Sequence, residues 1–150
     1  MTSAIWIDAN VPMYAFGQDQ LYKTPCRRIL ALAAQFSGTF RIDAEVLQEL
    51  VHRYTALKIW NEQKQDFMDF ALLMRGATEP VTGLDVEWAA QLVERYPHLS
   101  ARDLIHLAVM SRVGASHIVS ADRGFDAIEG LTRLDPLRVE EWEPLVAGDG

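Results

Sequence analysis

The sequence predicts an α/β fold in which a mostly parallel sheet carries helices on both faces. Two observations lead to this expectation. Short apolar runs, of the kind that form strands buried on both sides, alternate along the chain with longer segments whose apolar residues recur at helical spacing. Strands that are connected through helices in this way pair in parallel. A length of 150 residues suits one domain with its own core, so we expect residues 1–150 to form a single domain.

The first half of the chain predicts two strands and four helices. Asn10 is expected to cap the first helix, with Pro12 in its first turn, and Asp43 to cap the third helix. In order, the predicted elements are a strand at 4–7, a short helix from Asn10 to about Gly17, a helix from Thr24 to before Gly38, a strand at 39–42, a helix from Asp43 to about Leu57 and a helix at 60–75.

The second half predicts three more strands and two more helices. Asp85 is expected to cap one helix and Ser100 the other, which Gly114 ends. In order, the predicted elements are a strand at 79–82, a helix at 86–96 ended by Pro97, a helix whose apolar run is 104–110, a strand at 116–121, a strand at 131–134 and a short acidic tail from about 136.

Composition excludes several classes of protein. A single cysteine cannot form an internal disulfide, and no apolar run is long enough to cross a membrane, so we expect a cytoplasmic protein without a membrane segment. The formal net charge of −7 argues against a constitutively basic nucleic-acid-binding face. The negative net charge does not exclude a nuclease, because a divalent metal bound by acidic side chains presents positive charge to a phosphate.

Acids stand at the ends of two predicted strands and at the start of a helix. Asp8 follows the first strand, Asp122 follows the strand at 116–121 with Asp126 just beyond, and Asp103 lies in the first turn of its helix. Carboxyl ends of parallel strands share one edge of a sheet, where ligands collect. Capping and turn formation are the alternative roles, since Ser100-x-x-Asp103 is a capping-box pattern. If the acids converge, their repulsion calls for a hard divalent cation such as Mg2+ or Mn2+.

One further acid comes from the helix that starts at Asp43. The apolar stripe of this helix places Glu49 about 130° from its centre and Glu45 about 170° away. A side chain at the border of the stripe can reach a crevice beside the helix, which favours Glu49. His106, one turn after Asp103, either assists a site or packs and hydrogen-bonds in the core, while Arg102 and Arg112 are candidates for phosphate contacts.

Four motifs in this order carry a family resemblance: IWIDAN, IDAEVLQELVHRY, LSARDLIHLAVM and IVSADRGFD. Together they resemble PIN-domain ribonucleases, and most closely the VapC-type toxins of prokaryotic toxin-antitoxin pairs. The resemblance implies that the four family acids fall on Asp8, Glu49, Asp103 and Asp122, with Asp126 as an additional acid of some members and with Asn10 and Ser120 as polar residues that support them. Glu45 would replace Glu49 if the alignment slid by one helical turn.

The resemblance also implies an architecture and an activity. It implies a five-stranded sheet in the order 3-2-1-4-5, Mg2+- or Mn2+-dependent hydrolysis of RNA phosphodiester bonds, with tRNA or rRNA as substrate, homodimer formation and inhibition by a cognate antitoxin. One alternative is a catalytically inactive PIN-like module that binds RNA or protein. Another is an aspartyl-phosphate enzyme or receiver module, which would need a lysine in a matching motif that this sequence lacks.

Overall fold

The computed structural model describes residues 3–147, which form a five-stranded parallel sheet in the order β3-β2-β1-β4-β5. All four neighbouring pairs of strands are parallel. The predicted fold class and strand order are therefore confirmed. The strands are β1 (Ile5–Ile7), β2 (Phe40–Asp43), β3 (Thr78–Glu79), β4 (His117–Val119) and β5 (Thr132–Leu134).

Helices connect and cover these strands. Within residues 3–147 the α-helices are α1 (Asn10–Phe16), α2 (Lys23–Gln35), α3 (Ala44–Ala56), α4 (Trp60–Leu73), α5 (Gly83–Leu92), α6 (Ala101–Val113) and α7 (Val139–Ala147). Three short 3-10 turns lie at Arg75–Ala77, Arg123–Ala127 and Pro136–Arg138. No helix in this part of the chain has the length and apolarity needed to cross a membrane.

The sheet separates two apolar layers. Ile5, Ile7 and Val119 pack on one side with α1, α2, α3, α4 and α7, whereas Trp6 and Ile118 pack on the other side with α5 and α6. Successive residues of β1 thus point to opposite faces, and both faces are buried. This confirms helices on both faces and explains why the strands are short continuous apolar runs.

Two predicted caps are wrong. Asn10 is the first residue of α1 rather than its cap, and its side chain turns instead toward Asp8 and Ser120. Asp85 lies inside α5, because the Thr82 side chain accepts a hydrogen bond from the Asp85 N–H and starts the helix earlier. The strand predicted at 79–82 is Thr78–Glu79, since Pro80 has no N–H with which to extend a ladder. As predicted, Asp43 caps the start of α3. Ser100 caps the start of α6, and Gly114 ends that helix, also as predicted.

The segment expected to be an acidic tail is a packed helix over its described part. Val139, Trp142 and Val146 of α7 are buried in the main apolar layer, and the indole of Trp142 donates to the carbonyl of Asp135 at 2.9 Å. Glu143 pairs with Arg28 of α2. The apolar residues recur at helical spacing, but the acids between them hide the pattern in the sequence. Residues 148–150 of the predicted tail lie outside the described residues.

Candidate metal centre

Asp8 lies directly after β1 and is almost completely buried, with 3% of its surface exposed. Its Oδ1 accepts a hydrogen bond from the Ala9 N–H at 2.8 Å. Its Oδ2 accepts from the Ser120 hydroxyl at 2.7 Å and from the Asn10 amide at 3.1 Å. Three donors therefore fix the carboxylate at the carboxyl end of the central strand.

Ser120 and Asn10 connect Asp8 to the end of β4. The fully buried Ser120 hydroxyl accepts from the Asn10 amide at 3.1 Å and from the Asp122 N–H at 3.0 Å. The side-chain oxygen Oδ1 of Asn10 in turn accepts from the Ala121 N–H at 3.3 Å. These hydrogen bonds connect the carboxylate of Asp8 to the backbone that follows β4.

Asp103 has a structural role and also faces Asp8. It forms a capping box at the start of α6, in which its N–H donates to the Ser100 hydroxyl at 3.2 Å and its Oδ2 accepts from the Ser100 N–H at 3.4 Å. One ligand atom each of Asp8, Asp103 and His106 lies within 4.8 Å of the others. The capping and cluster roles, which are alternatives in the sequence, are both present in the structure.

Glu49 of α3 faces the same cluster. Burial, together with the negative charges of Asp8 and Asp103, raises the pKa of Glu49 to about 7 against the opposing positive charges of His106 and Arg102. Glu45, one turn earlier, lies 3.5 Å from the Arg102 guanidinium. The carboxylate of Glu49 is not among the ligand atoms that lie within 4.8 Å of one another, but the charges of both Asp8 and Asp103 act on it, and this electrostatic coupling favours Glu49 over Glu45 as the acid of α3 beside the group.

His106 lies completely buried between two aspartates. Its Nδ1 is 2.8 Å and 3.0 Å from the two oxygens of Asp43, and its Nε2 is 3.9 Å from Asp8 Oδ1. The Nε2 atom has no hydrogen-bond partner among residues 3–147. Burial alone would lower the pKa of His106, but Asp43, Asp8 and Glu49 together raise it to about 9. The three carboxylates therefore favour the imidazolium form of His106.

The sequence predicts only a helix cap at Asp43, but the structure gives this residue further partners. Besides His106, its carboxylate accepts from the Trp6 indole at 2.9 Å and from the N–H groups of Glu45 and Val46 at the start of α3. Burial acts to raise the pKa of Asp43, but the contact with His106 and the other donors lower it overall. A signal was present, since Asp43 is a third aspartate at a strand end, directly before the helix that carries Glu49.

Asp122 and Asp126 lie outside the close group. Asp122 is exposed, and its Oδ1 accepts from the Gly124 N–H at 2.8 Å. Its backbone N–H donates to the Ser120 hydroxyl, which in turn donates to Asp8. Both oxygens of Asp126 are held by Arg133, at 2.8 Å and 3.3 Å, and this guanidinium lowers the pKa of Asp126. The structure does not bring Asp126 to the cluster, because Arg133 already neutralises it.

The two arginines proposed for phosphate contacts also differ. Arg112 forms two hydrogen bonds to Asp85, at 3.0 Å and 3.2 Å, and another to the Pro80 carbonyl at 2.8 Å, so it ties α6 to α5. Arg102 instead lines a cleft together with Glu49. Only Arg102 is therefore placed beside the acids.

The donor set fits a hard divalent cation. Asp8, Asp103 and Glu49 offer carboxylate oxygens, which such cations prefer. Burial raises the pKa of Asp8, and the charge of Asp103 adds to this effect against the opposing influence of His106 and Ser120. The charged form of Asp8 is thus disfavoured mainly by burial and also by the charge of Asp103, and a bound cation would stabilise it.

Comparisons with known proteins identify the family of this chain. The model of a family described as the PIN domain matches residues 5–131. Ribonuclease VapC13 of Mycobacterium tuberculosis is 39% identical over 130 residues, which cover 87% of this chain and 98% of that protein. Ribonuclease VapC23 of the same species is 37% identical over 121 residues, which cover 79% of this chain and 92% of that protein.

Solved structures share the fold at low sequence identity. VapBC2 from Rickettsia felis, bound to a DNA fragment from its promoter, matches with a TM-score of 0.69 at 16% identity, over 88% of this chain and 98% of that one. FitAcB from Neisseria gonorrhoeae matches with a TM-score of 0.66 at 17% identity, over 88% of this chain and 97% of that one.

Proposed function

This chain belongs to the PIN domain family and is similar over most of its length to VapC ribonucleases, and on that premise we propose that it is a metal-dependent endoribonuclease toxin. The observation that carries the proposal is the close approach of Asp8 and Asp103, with Glu49 facing both. We propose Asp8, Glu49 and Asp103 as ligands of Mg2+ or Mn2+, and Asp122 as a more exposed ligand at the rim. Asp126 is left out, because Arg133 holds it.

The residues of this chain would hold the ion and orient the RNA. When bound, the ion would supply positive charge beside the scissile phosphate and lower the pKa of a water molecule. Ser120 and Asn10 keep the Asp8 carboxylate in one orientation, and the capping box does the same for Asp103. Arg102, which lines the cleft beside Glu49, is positioned to contact a phosphate of the RNA.

The proposed substrate is cellular RNA, with tRNA or rRNA as the target classes, and the proposed site of action is the cytoplasm. Purified protein incubated with total RNA in Mg2+, in Mn2+ and in EDTA, followed by mapping of the new ends, tests this proposal. We expect discrete cuts that need the divalent ion. Equal cleavage in EDTA would exclude the metal-dependent mechanism. RNA binding without cuts in either ion would favour the alternative, an inactive PIN-like module.

The proposed protein partners are a cognate antitoxin and a second copy of the chain. A toxin-antitoxin complex from Klebsiella pneumoniae shares the fold of this chain with a TM-score of 0.58 at 14% identity. For this chain we propose a small antitoxin that places Arg or Lys against Asp8 and Asp103, where it would take the place of the cation. Replacing that basic residue with Ala should weaken inhibition. For the homodimer, exposed apolar side chains on α5, Leu84 and Trp88, offer a surface.

A further inference from the structure

His106 presents one ring nitrogen to the metal centre without bonding to any of its acids. The imidazole is completely buried, and its Nε2 atom has no hydrogen-bond partner anywhere in residues 3–147. This atom lies 3.9 Å from Oδ1 of Asp8, and one ligand atom each of Asp8, Asp103 and His106 lies within 4.8 Å of the others. Buried polar atoms are nearly always paired, so an unpaired nitrogen that faces a carboxylate needs an explanation.

The other ring nitrogen of His106 is held by a carboxylate. Nδ1 lies 2.8 Å and 3.0 Å from the two oxygens of Asp43. An ionised carboxylate only accepts hydrogen bonds, so Nδ1 carries the proton of this contact. Asp43 is itself held by the indole of Trp6 and by two N–H groups at the start of α3. The orientation of the ring is therefore fixed from behind, with Nε2 directed toward Asp8.

A histidine held in this way is the form in which proteins present imidazole to a metal ion. Histidine ligands almost always donate the N–H of one ring nitrogen to a carboxylate, a backbone carbonyl or water. That hydrogen bond orients the ring and makes the other nitrogen a stronger ligand. Asp43 supplies such a carboxylate to His106, and a cation bound at Nε2 would give this buried atom the partner that it lacks.

The distance between Nε2 and Asp8 also suits a shared ion. At 3.9 Å the two atoms are too far apart for a hydrogen bond. Two atoms that bind one cation through bonds of about 2.0–2.2 Å lie up to roughly 4 Å apart. An ion between them touches Nε2 directly, so the site needs no water-sized opening at that atom. Asp103 is partly exposed and gives the ion a path from solvent.

The competing explanation is an ion pair with a purely structural role. Without a bound cation, a proton on Nε2 gives the imidazolium that the surrounding carboxylates favour. A proton and a cation use the same lone pair, so the two roles exclude each other at Nε2. An ion pair is expected to close to hydrogen-bond distance, as Nδ1 does with Asp43, whereas Nε2 and Asp8 stay 3.9 Å apart.

We propose that Nε2 of His106 is a nitrogen ligand of the cation that Asp8 and Asp103 bind. The inference rests on the proposed metal-dependent activity and adds a determinant of its metal preference. Carboxylates and water suit Mg2+ and Mn2+, whereas imidazole favours later transition-metal ions such as Co2+ and Ni2+. The site is therefore expected to bind Mn2+ more tightly than Mg2+, and Co2+ more tightly than either.

The first test detects the nitrogen at the metal. Mn2+ bound to the purified protein is studied by pulsed electron paramagnetic resonance, which reports nitrogen nuclei coordinated to the ion. We expect an imidazole coupling in the wild type that changes to that of 15N when histidine is labelled, and that is lost in His106→Gln. His52→Gln and His98→Gln are the controls and should keep it, since His52 is exposed on α3 and Nε2 of His98 contacts the Gly124 carbonyl.

Two results of this test would overturn the proposal. One is bound Mn2+ without a histidine coupling in the wild type, a result that stands whether or not His106→Gln folds. The other is a coupling that folded His106→Gln keeps or that His98→Gln loses, because the nitrogen would then belong to another residue.

The second test measures the choice of metal. Calorimetric titrations with Mg2+, Mn2+ and Co2+ compare the wild type with His106→Gln and with the control His98→Gln. Loss of the nitrogen ligand should lower the affinity for Co2+ by at least roughly 10-fold more than the affinity for Mg2+. The control should bind all three ions as the wild type does. An equal fall for Co2+ and Mg2+ in His106→Gln would indicate a structural residue and overturn the proposal.

Neither test requires cleavage of RNA, so the ligand assignment and the proposed activity fail separately. Metal-dependent cleavage without a histidine coupling would retain the ribonuclease and overturn the assignment of His106. A histidine coupling with a preference for Co2+ in a protein that cuts no RNA would support the assignment and remove only the proposed activity. A wild type that binds none of the three ions would overturn both.

Discussion

The Nδ1 atom of His106 lies 2.8 Å from Oδ2 of Asp43, and both side chains are completely buried. Asp43 also caps α3 and accepts a hydrogen bond from the indole of Trp6 in β1. The pair therefore connects β1, α3 and α6, the elements that hold Asp8, Glu49 and Asp103. These three acids belong to different parts of the sequence, and the buried pair fixes their relative positions.

Removing Asp43 should be strongly destabilising. Asp43→Ala leaves the buried imidazolium of His106 without its partner and removes a helix cap, so we expect a loss of about 3–5 kcal/mol in the free energy of unfolding. Asp135→Ala is the control, because Asp135 caps only the short turn at Pro136–Arg138 and should cost about 1 kcal/mol. Urea denaturation of both variants compares them. A loss for Asp43→Ala no larger than that of the control would exclude the role given to the pair.

Asp8→Asn should not destabilise the metal-free protein. Burial and the nearby Asp103 raise the pKa of Asp8, so its charged form is unfavourable in the fold and a neutral amide relieves that cost. In EDTA the variant should melt at or above the wild-type temperature. Added Mg2+ or Mn2+ should raise the melting temperature of the wild type more than that of the variant, since a ligand stabilises only the state that binds it.

Asp126→Asn provides the matched control for that comparison. Its carboxylate is paired with Arg133, so the substitution should leave the stabilisation by metal unchanged. If Asp8→Asn were clearly less stable in EDTA and the wild type did not respond to metal, Asp8 would be a structural residue and not a ligand.

Stability of the metal-free protein should fall as pH rises. The pKa of Glu49 is about 7 in the fold against 4.5 for the free side chain, so between these values the unfolded chain has lost a proton that the fold retains. The pKa of His106 is about 9 against 6.5, so its stabilising effect is complete below about pH 6.5 and is lost toward pH 9. The pKa of Asp43 is lowered from 3.8 in the fold, so this residue changes the free energy of unfolding only below pH 3.8.

Thermal melts in EDTA from about pH 5 to pH 9 measure this dependence. We expect a continuous decrease in melting temperature. Glu49→Gln should make this decrease smaller, because it removes the titration of Glu49 and one of the charges that raise the pKa of His106, while Asp8 and the His106–Asp43 pair account for the decrease that remains. A melting temperature that rises between pH 5 and pH 7 in the wild type would contradict the raised pKa of Glu49.

Glu49 and Glu45 should differ in metal binding. Glu49→Gln removes a carboxylate that faces Asp8 and Asp103, and we expect the affinity for Mn2+ to fall by at least about 10-fold. Glu45 pairs with Arg102, so Glu45→Gln should change the affinity for Mn2+ little. Calorimetric titration with Mn2+ measures both variants. The opposite order of effects would assign the acid of α3 to Glu45.

Local sequence patterns were enough for a parallel sheet with helices on both faces and for the position of Asp8, whereas the order of the strands came from the family resemblance. Apolar runs of strand length identify strands that are buried on both faces, and a parallel sheet brings their carboxyl ends to one edge. Helical spacing also placed Glu49 nearer than Glu45 to a crevice beside α3. These predictions depend only on periodicity, which neighbouring residues determine.

Partners from distant parts of the chain could not be predicted in this way. His106 and Asp43 are 63 residues apart, so the sequence places His106 on an apolar helix without identifying its partner. Asp126 has the spacing of a candidate ligand, but Arg133 neutralises it in the fold. The packing of Trp142 against the core likewise depends on α2, which no local pattern around α7 indicates.

RNA cleavage by Asp103→Asn tests the central claim most directly, with Asp85→Asn as the control. Both aspartates occupy the same capping-box position, Asp103 in α6 and Asp85 in α5, but only Asp103 faces Asp8. Single-turnover cleavage of RNA in Mg2+ should fall by at least roughly 100-fold in Asp103→Asn, equivalent to about 2.7 kcal/mol in the activation barrier, and should be retained in Asp85→Asn. Near-normal Mg2+-dependent cleavage by folded Asp103→Asn would contradict the assignment of this cluster as the nuclease centre.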